Sequence, residues 1–143
     1  MKLHIVTVGK PKLPYAADGW NEYLGRLQRL HTVRVTQLGD KHANDSAKFR
    51  EVIAGSYVVV MEITGRDPTS HQLADFLRSR ELEAREVSLV IGGPDGLPAD
   101  IRQSADYQWS LSRLTFPHDL AMVVTLEALY RASTINAGLP YHR

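Results

Sequence analysis

Two short apolar segments constrain the fold of this chain more than any other feature of its sequence. They are "YVVVMEI" at residues 57–63 and "VSLVI" at residues 87–91. Both are rich in β-branched residues, and neither alternates polar with apolar side chains as a half-exposed strand does. Each is therefore predicted to be a strand buried on both faces, and such strands are typical of parallel sheets covered by helices.

Segments with helical periodicity alternate with the predicted strands. In the first of them, residues 15–30, the side chains of Trp20, Leu24 and Leu27 recur on one face at helical spacing. Further helices are predicted at 47–53, after "GRDPTS", at 99–105 and at 118–137, and further strands at 3–8 and within "HTVRVTQL" and "YQWSL". The alternation predicts a single α/β domain over residues 1–143, with a mainly parallel sheet and helices on both of its faces.

Composition excludes several kinds of site. The sequence contains no cysteine, which excludes disulfides, thiolate metal ligands and a cysteine nucleophile, and it offers no clustered histidines, so no metal is expected. We find neither a signal peptide nor an apolar run of the roughly 18 residues that span a bilayer, so a cytoplasmic protein without a membrane partner is expected. A net charge of +1 is too small to hold nucleic acid by bulk charge, but 12 of the 17 basic residues are arginine, which suits bidentate contacts to phosphate.

The loop "IGGPDG" at residues 91–96 follows the second of the two buried segments. In open α/β sheets, ligands bind at the carboxyl ends of the central strands. Glycine allows a ligand to approach the backbone closely, so this loop is a candidate binding loop. Its spacing is neither that of a Rossmann dinucleotide site nor that of a P-loop, and a tight strand-to-helix turn stays open as the simpler interpretation.

The predicted helix at residues 118–137 is apolar over a wide face. Pro117 is suited to begin it, with His118 and Asp119 in its first turn. Packing against the core of a short chain requires a narrower apolar face than this one. A second copy of the protein is the simplest partner for the remaining surface, so a homodimer is predicted. The apolar residues of the helix include Leu120, Val123, Val124, Leu126, Leu129 and Tyr130.

Five motifs that occur in order along the chain are similar to one known family. They are "MKLHIVTVGK", "LVIGGPDGL", "SLSRLTFPH", "EALYRA" and "LPYHR". Together they resemble the RlmH family, the large-subunit ribosomal RNA methyltransferases of the SPOUT class, over essentially the full chain. The resemblance implies a C-terminal trefoil knot of the SPOUT (α/β-knot) type, which is a rare exception to the rule against knotted chains, and two subunits that pack through it.

The resemblance also implies S-adenosylmethionine as the cofactor. The loops after "VVVMEI", "SLVI" and "YQWSL" would form its pocket, in which Gly92 and Gly93 leave room and Met61 and Leu114 form apolar walls for the adenine. The cofactor contacts implied by the resemblance are Met61, Gly92, Gly93, Ser112, Arg113, Leu114, Thr115, Phe116 and Pro117.

By the same resemblance, the substrate is a pseudouridine in the helix 69 hairpin of 23S rRNA, methylated at N3 on the assembled 70S ribosome. The ring nitrogen must lose a proton, and histidine titrates near neutral pH, so His118 and His142 are the candidate general bases. The resemblance implies that the tail folds over the cofactor pocket, where Tyr141 is suited to stack on a pyrimidine and Arg143 to contact a phosphate. For His118, a hydrogen bond to backbone at the helix start stays open as the alternative.

Three positions on the last predicted helix raise further expectations. Glu127 and Arg131 are four residues apart, which is the spacing of a simple ion pair, and a role in orienting the tail or a second subunit is the alternative. The similar sequences carry an arginine where "HDLAMVV" has Met122, so one RNA or dimer contact is expected to be missing here.

Three other functions stay open at this point. The first is a SPOUT methyltransferase that acts on another RNA such as tRNA, and the second is a non-catalytic, ribosome-associated binding module. The third is a hydrolase with Ser112, His118 and Asp119 as a triad. The sequence disfavours the hydrolase, because it has no G-x-S-x-G elbow and its His and Asp are adjacent.

Overall fold

The computed structural model describes residues 1–143, and its centre is a five-stranded sheet in which all neighbouring strands are parallel. The strand order is β2-β1-β4-β3-β5, which confirms the predicted parallel α/β architecture. The trefoil knot stays a prediction. The strands are β1 (Lys2–Val8), β2 (Thr32–Leu38), β3 (Tyr57–Arg66), β4 (Val87–Ile91) and β5 (Tyr107–Trp109).

Helices cover both faces of the sheet, as the alternation of segments predicts. Leu27, Leu77 and Leu126, from α1, α3 and α5, belong to the larger hydrophobic cluster, and Phe49 and Ile101, from α2 and α4, belong to the smaller one. Successive residues of β1 enter different clusters because side chains along a strand point to opposite faces. The helices are α1 (Pro14–Leu30), α2 (Ser46–Ile53), α3 (Ser70–Leu82), α4 (Ala99–Ser104) and α5 (His118–Ala137), with a 3₁₀ turn at Asp40–His42.

The last helix, α5, packs against α1 and α3 of its own chain. The approach to α1 is close, since a Cβ on Gly19 would lie 2.9 Å from a methyl group of Val123. Contacts within one chain therefore cover part of the wide apolar face of α5, whose width is the reason for predicting a homodimer. Leu126 and Leu129 of this face are buried within the chain. The homodimer stays a prediction, supported by the side chains of α5 that are only half-buried: Leu120, Val124 and Tyr130.

Strand β3 continues three residues beyond its predicted end, and β5 is shorter than predicted. Trp109 pairs with both Met61 and Arg66, so the four residues between these two bulge out of the ladder. Gly65 makes this possible, because a Cβ at that position would lie 2.5 Å from the carbonyl oxygen of Gln108. An apolar pattern alone does not encode such a bulge, and it shapes the surface beside the candidate site.

Candidate active site

A cavity of about 520 Å³ opens at the carboxyl ends of β3, β4 and β5. This size lies within the range of small-molecule and cofactor sites. The cavity is at the sheet edge where open α/β folds bind ligands, and it is formed by the three loops that the family resemblance implies. Half of its lining residues are hydrophobic, and the others are Glu62, Asp95, Arg102, Ser112 and Thr115, with Gly93, Pro94 and Gly96 from the glycine loop.

Six of the nine predicted cofactor residues line this cavity: Met61, Gly93, Ser112, Leu114, Thr115 and Phe116. Gly92, Arg113 and Pro117 do not. Pro117 is the N-cap residue of α5, and Arg113 lines a neighbouring cavity. Leu114 is 71% exposed, so this apolar side chain has room to close over a ligand.

The two adjacent glycines of the loop have different structural roles. A Cβ on Gly92 would lie 2.9 Å from the backbone carbon of Gly96 and from Cγ of Leu97, which is closer than real contacts allow. A Cβ on Gly93 would meet Val8 at an ordinary 3.5 Å. Gly92 is thus required by the fold of the loop itself, and the prediction that the two glycines leave room for a ligand stays a prediction.

His118 lies at the start of α5, and its Nε2 is 2.8 Å from the carbonyl oxygen of Gly92. Since a carbonyl can only accept, Nε2 carries a proton and donates it to the loop. The backbone-bonded alternative is therefore the one that the structure shows for His118, which ties the helix to the glycine loop. Only its Nδ1 atom is left to act as a base.

The hydrolase interpretation is wrong, because its three side chains have other partners. The Asp119 carboxylate accepts hydrogen bonds from the backbone N–H groups of Lys12 and Leu13, at 2.9 and 2.7 Å. Ser112 Oγ accepts from the backbone of Leu114, and His118 donates to the loop, as described above. No relay connects the three, so a serine nucleophile has no activating base here.

An ion pair on the cavity wall was not predicted from the sequence. Arg102 Nη1 lies 3.6 Å from Glu62 Oε2, and Thr64 donates to the other oxygen of the same carboxylate at 3.1 Å. Arg102 also donates to the backbone carbonyl of Leu97, at 3.3 Å, which links it to the loop after β4. The one sequence signal for this pair was the carboxylate at the end of an otherwise apolar strand.

The C-terminal tail lies against α1, α3 and α5, with the His142 ring edge-on to the His71 ring of α3 at 5.0 Å, and it does not border the cavity. The Tyr141 hydroxyl donates to Glu127 Oε1 at 3.0 Å and lies 3.2 Å from the hydroxyl of Tyr23. Burial, followed by these two hydrogen bonds, raises the pKa of Tyr141 well above its usual value. Arg131 pairs with Glu127 at 2.8 Å and donates to His142 Nδ1 at 3.3 Å. The predicted Glu127–Arg131 pair is therefore present, and it also orients the tail.

Two other sequence expectations have clear outcomes. Arg143 is exposed and has no side-chain hydrogen bond or ion pair in the structure, while the tail as a whole does not cover the cavity of its own chain. Met122 is fully buried among core residues, so its side chain contacts neither RNA nor a second subunit. The expectation that an RNA or dimer contact is missing at position 122 stays a prediction, while the methionine of this chain faces the core.

The structure contains no group of three or more His, Cys, Asp or Glu side chains that could hold a metal ion. None of its helices has the length and apolarity needed to cross a membrane.

Comparison with known proteins identifies the family of this chain. A family model described as "Predicted SPOUT methyltransferase" matches residues 1–142. The chain is 47% identical to ribosomal RNA large subunit methyltransferase H of Deinococcus deserti, an alignment that covers 100% of both chains. It is 44% identical to the protein of the same name from Deinococcus radiodurans, over 100% of this chain and 99% of that one.

A solved structure shows the same fold at low sequence identity. A probable methylase family protein from Haemophilus influenzae Rd KW20 matches with a TM-score of 0.60 at 9% identity, covering 99% of this chain and 70% of that chain. At this identity the similarity concerns the fold alone. The family match over almost the whole length and the full-length curated relatives show more: the chain belongs to the SPOUT methyltransferase family.

Proposed function

We propose that this protein uses S-adenosylmethionine to methylate N3 of a pseudouridine in the helix 69 hairpin of 23S rRNA, on the assembled 70S ribosome. The observation that carries the proposal is the cavity formed by the loops after β3, β4 and β5, in a chain whose full-length relatives are named large-subunit rRNA methyltransferases. A cytoplasmic location follows from this substrate.

The residues of the cavity fit the proposed cofactor. Met61, Leu114 and Phe116 offer apolar and aromatic surface for an adenine, and the backbone at Gly93 is open to a ligand. The Arg102 and Glu62 side chains lie on the wall with charges opposite to those of an amino-acid carboxylate and ammonium. S-adenosylmethionine would supply the methyl group from its sulfonium centre.

The tail supplies the candidate groups for the substrate. Arg131 donates to Nδ1 of His142, so a neutral His142 carries its proton on Nε2, and Nδ1 can take a proton as a general base only when this hydrogen bond opens. Tyr141 offers an aromatic face for the target base, and the exposed Arg143 offers a donor for phosphate. His118 is the second candidate base, through its free Nδ1 atom.

A homodimer is part of this proposal. A tail that does not border the cavity of its own chain must reach the target base in another way, and a second copy is the simplest source of a tail for each cavity. The half-buried apolar side chains of α5 and the exposed Leu114 provide surface for such contact.

The test is methyl transfer from labelled S-adenosylmethionine to 70S ribosomes from cells that lack the endogenous enzyme. Separated subunits and bulk tRNA serve as competing substrates, and mass spectrometry identifies the labelled nucleotide. We expect label on a large-subunit pseudouridine, strongest in 70S ribosomes. Label on tRNA alone would overturn the substrate, and cofactor binding without transfer to any RNA would leave a non-catalytic binding module as the better description.

A further inference from the structure

Two further cavities adjoin the candidate active site around the bulge of β3. The first, of about 430 Å³, shares Ile63 with the active-site cavity and is also lined by Ser110 and Arg113. The second, of about 580 Å³, shares Thr64 and Gly65 with the first. Residues 63–65 of the bulge are thus shared walls, so the three cavities lie side by side around it, and we refer to the two outer cavities as the groove.

Arginines without internal partners line this groove. Eight of the twelve arginines hydrogen-bond to a carboxylate, an amide or a backbone carbonyl of the protein. Arg66 and Arg113 are two of the four that do not, and both are exposed. The planar guanidinium group is the side chain best suited to bind phosphate oxygens in a bidentate manner. An uncommitted pair of guanidinium groups beside an active site is therefore suited to an anionic substrate.

The far end of the groove adds aromatic surface to these charges. The ring centroids of Phe76 and Tyr107 are 4.5 Å apart, and Tyr57 lies 5.9 Å from Phe76. The guanidinium of Arg80 lies 4.4 Å from the Tyr57 ring centroid. All three aromatic residues are half-buried and line the second cavity, so part of each ring is open to the groove.

Two carboxylates, Asp67 and Asp106, also line the groove. The Asp106 carboxylate accepts a hydrogen bond from the backbone of Val58 at 2.8 Å, so it is already committed to the protein. Asp67 is the other lining carboxylate, and Glu83 pairs with Arg80 at 3.1 Å. Arg66 and Arg113 remain available. Exposed cations next to half-open aromatic rings are the combination by which proteins bind single-stranded RNA, with phosphate on arginine and bases on the rings.

We propose that this groove binds the single-stranded RNA next to the target nucleotide, with Arg113 and Arg66 contacting phosphates and Tyr107 offering a stacking surface. The proposal rests on the proposed action on RNA. It assigns Arg113 to the substrate, whereas the family resemblance assigns it to the cofactor. The two assignments differ in a measurable way, because only the second makes cofactor affinity depend on Arg113.

The test compares Arg66→Gln, Arg113→Gln and the double variant with Arg29→Gln. Arg29 is also exposed and has no side-chain partner, but it lies near the end of α1 away from the groove, so it controls for the loss of one charge. The probes are 70S ribosomes and a short single-stranded oligoribonucleotide, titrated at several salt concentrations. S-adenosylmethionine affinity and the unfolding temperature are measured on each variant.

Each groove variant is expected to bind the oligoribonucleotide about tenfold more weakly than wild type and to lower the slope of log affinity against log salt by about one. Cofactor affinity and the unfolding temperature are expected to stay unchanged. RNA affinity equal to that of Arg29→Gln would overturn the groove, and weakened cofactor binding in Arg113→Gln would return that residue to the cofactor. Arginine-dependent RNA binding without methylation of ribosomes would leave the groove standing and reject only the proposed substrate.

Discussion

The two ends of the sheet differ in how completely their polar side chains are partnered within the protein. In its amino-terminal half, buried side chains satisfy one another: Thr36 lies 2.7 Å from His4 Nε2, His4 Nδ1 lies 3.4 Å from Ser88 Oγ, and Ser88 lies 2.7 Å from Ser56 Oγ. At the carboxyl end, Arg66 and Arg113 have no partner in the protein. A polar group that finds its partner inside the chain stabilises the fold, and one that does not is free to bind a ligand.

This comparison predicts that changes at the carboxyl end alter binding and turnover, whereas changes at the amino end alter stability. The largest effect is expected for the tail, which lies outside both ends. Deleting residues 141–143 is expected to lower methyl transfer by about 10²-fold or more, since it removes a candidate base. Cofactor affinity, measured by calorimetry, is expected to stay normal because the tail does not border the cavity. A parallel loss of cofactor affinity would show that the tail belongs to the cofactor site.

A smaller effect is expected at the glycine loop, where adjacent positions provide a matched pair. Gly92→Ala forces Cβ against the backbone of Gly96, so the loop must shift, at a cost of about 1–3 kcal/mol in stability. We expect cofactor binding to weaken by about tenfold or more. Gly93→Ala meets only ordinary contact with Val8 and is expected to bind the cofactor within about twofold of wild type. Equal losses in both variants would mean that the ligand, and not the loop, excludes side chains here.

At the amino end, stability is expected to depend on pH through His4. Burial, and then the nearby Arg34, lowers the pKa of His4 below its usual value. As the pH falls, the unfolded chain therefore binds a proton at His4 before the folded chain does. The contribution of neutral His4 to the free energy of unfolding is complete above about pH 6.5 and is lost at lower pH. The free energy of unfolding, measured by urea titration, is expected to fall between pH 7 and pH 5.

His31 adds to the same trend, since burial and the N-terminal ammonium lower its pKa as well. The variant His4→Gln is expected to show a flatter dependence of stability on pH than wild type. The same substitution at the exposed His71 controls for the loss of an imidazole. An unchanged slope in His4→Gln would show that the network at this end does not hold His4 neutral.

The smallest effect is expected at the surface beside this network. The Arg34 guanidinium makes a bidentate contact with Glu86, at 3.0 and 2.8 Å, and lowers the pKa of that carboxyl. The Arg34 side chain is 59% exposed, so solvent screens the pair. Arg34→Gln is expected to lower stability by less than about 1 kcal/mol, without a change in cofactor affinity. A larger loss would mean that the pair belongs to the buried network.

The sequence predicted the sheet from local patterns, whereas most of the cavity residues were predicted from the resemblance to a known family. Apolar continuity identified β3 and β4, and the position of a glycine loop after a central strand located the site. The bulge at residues 62–65 and the packing of Met122 depend on contacts between distant segments, so the periodicity of the sequence does not predict them. The same holds for the Arg102–Glu62 pair and for the placement of the tail, whose partners come from other elements.

The position of β4 between β1 and β3 has a consequence for how the chain folds. During synthesis, β1 can pair with β2 early, but its other edge stays unpaired until residues 87–91 have been made. All five residues of β4 are buried, and all but Ser88 are apolar. Pairing between segments far apart in sequence is slow, and open apolar edges promote aggregation in the meantime. We therefore expect the nascent chain to be most prone to aggregation before β4 has been synthesised. The yield of folded protein in heterologous expression should accordingly depend on temperature.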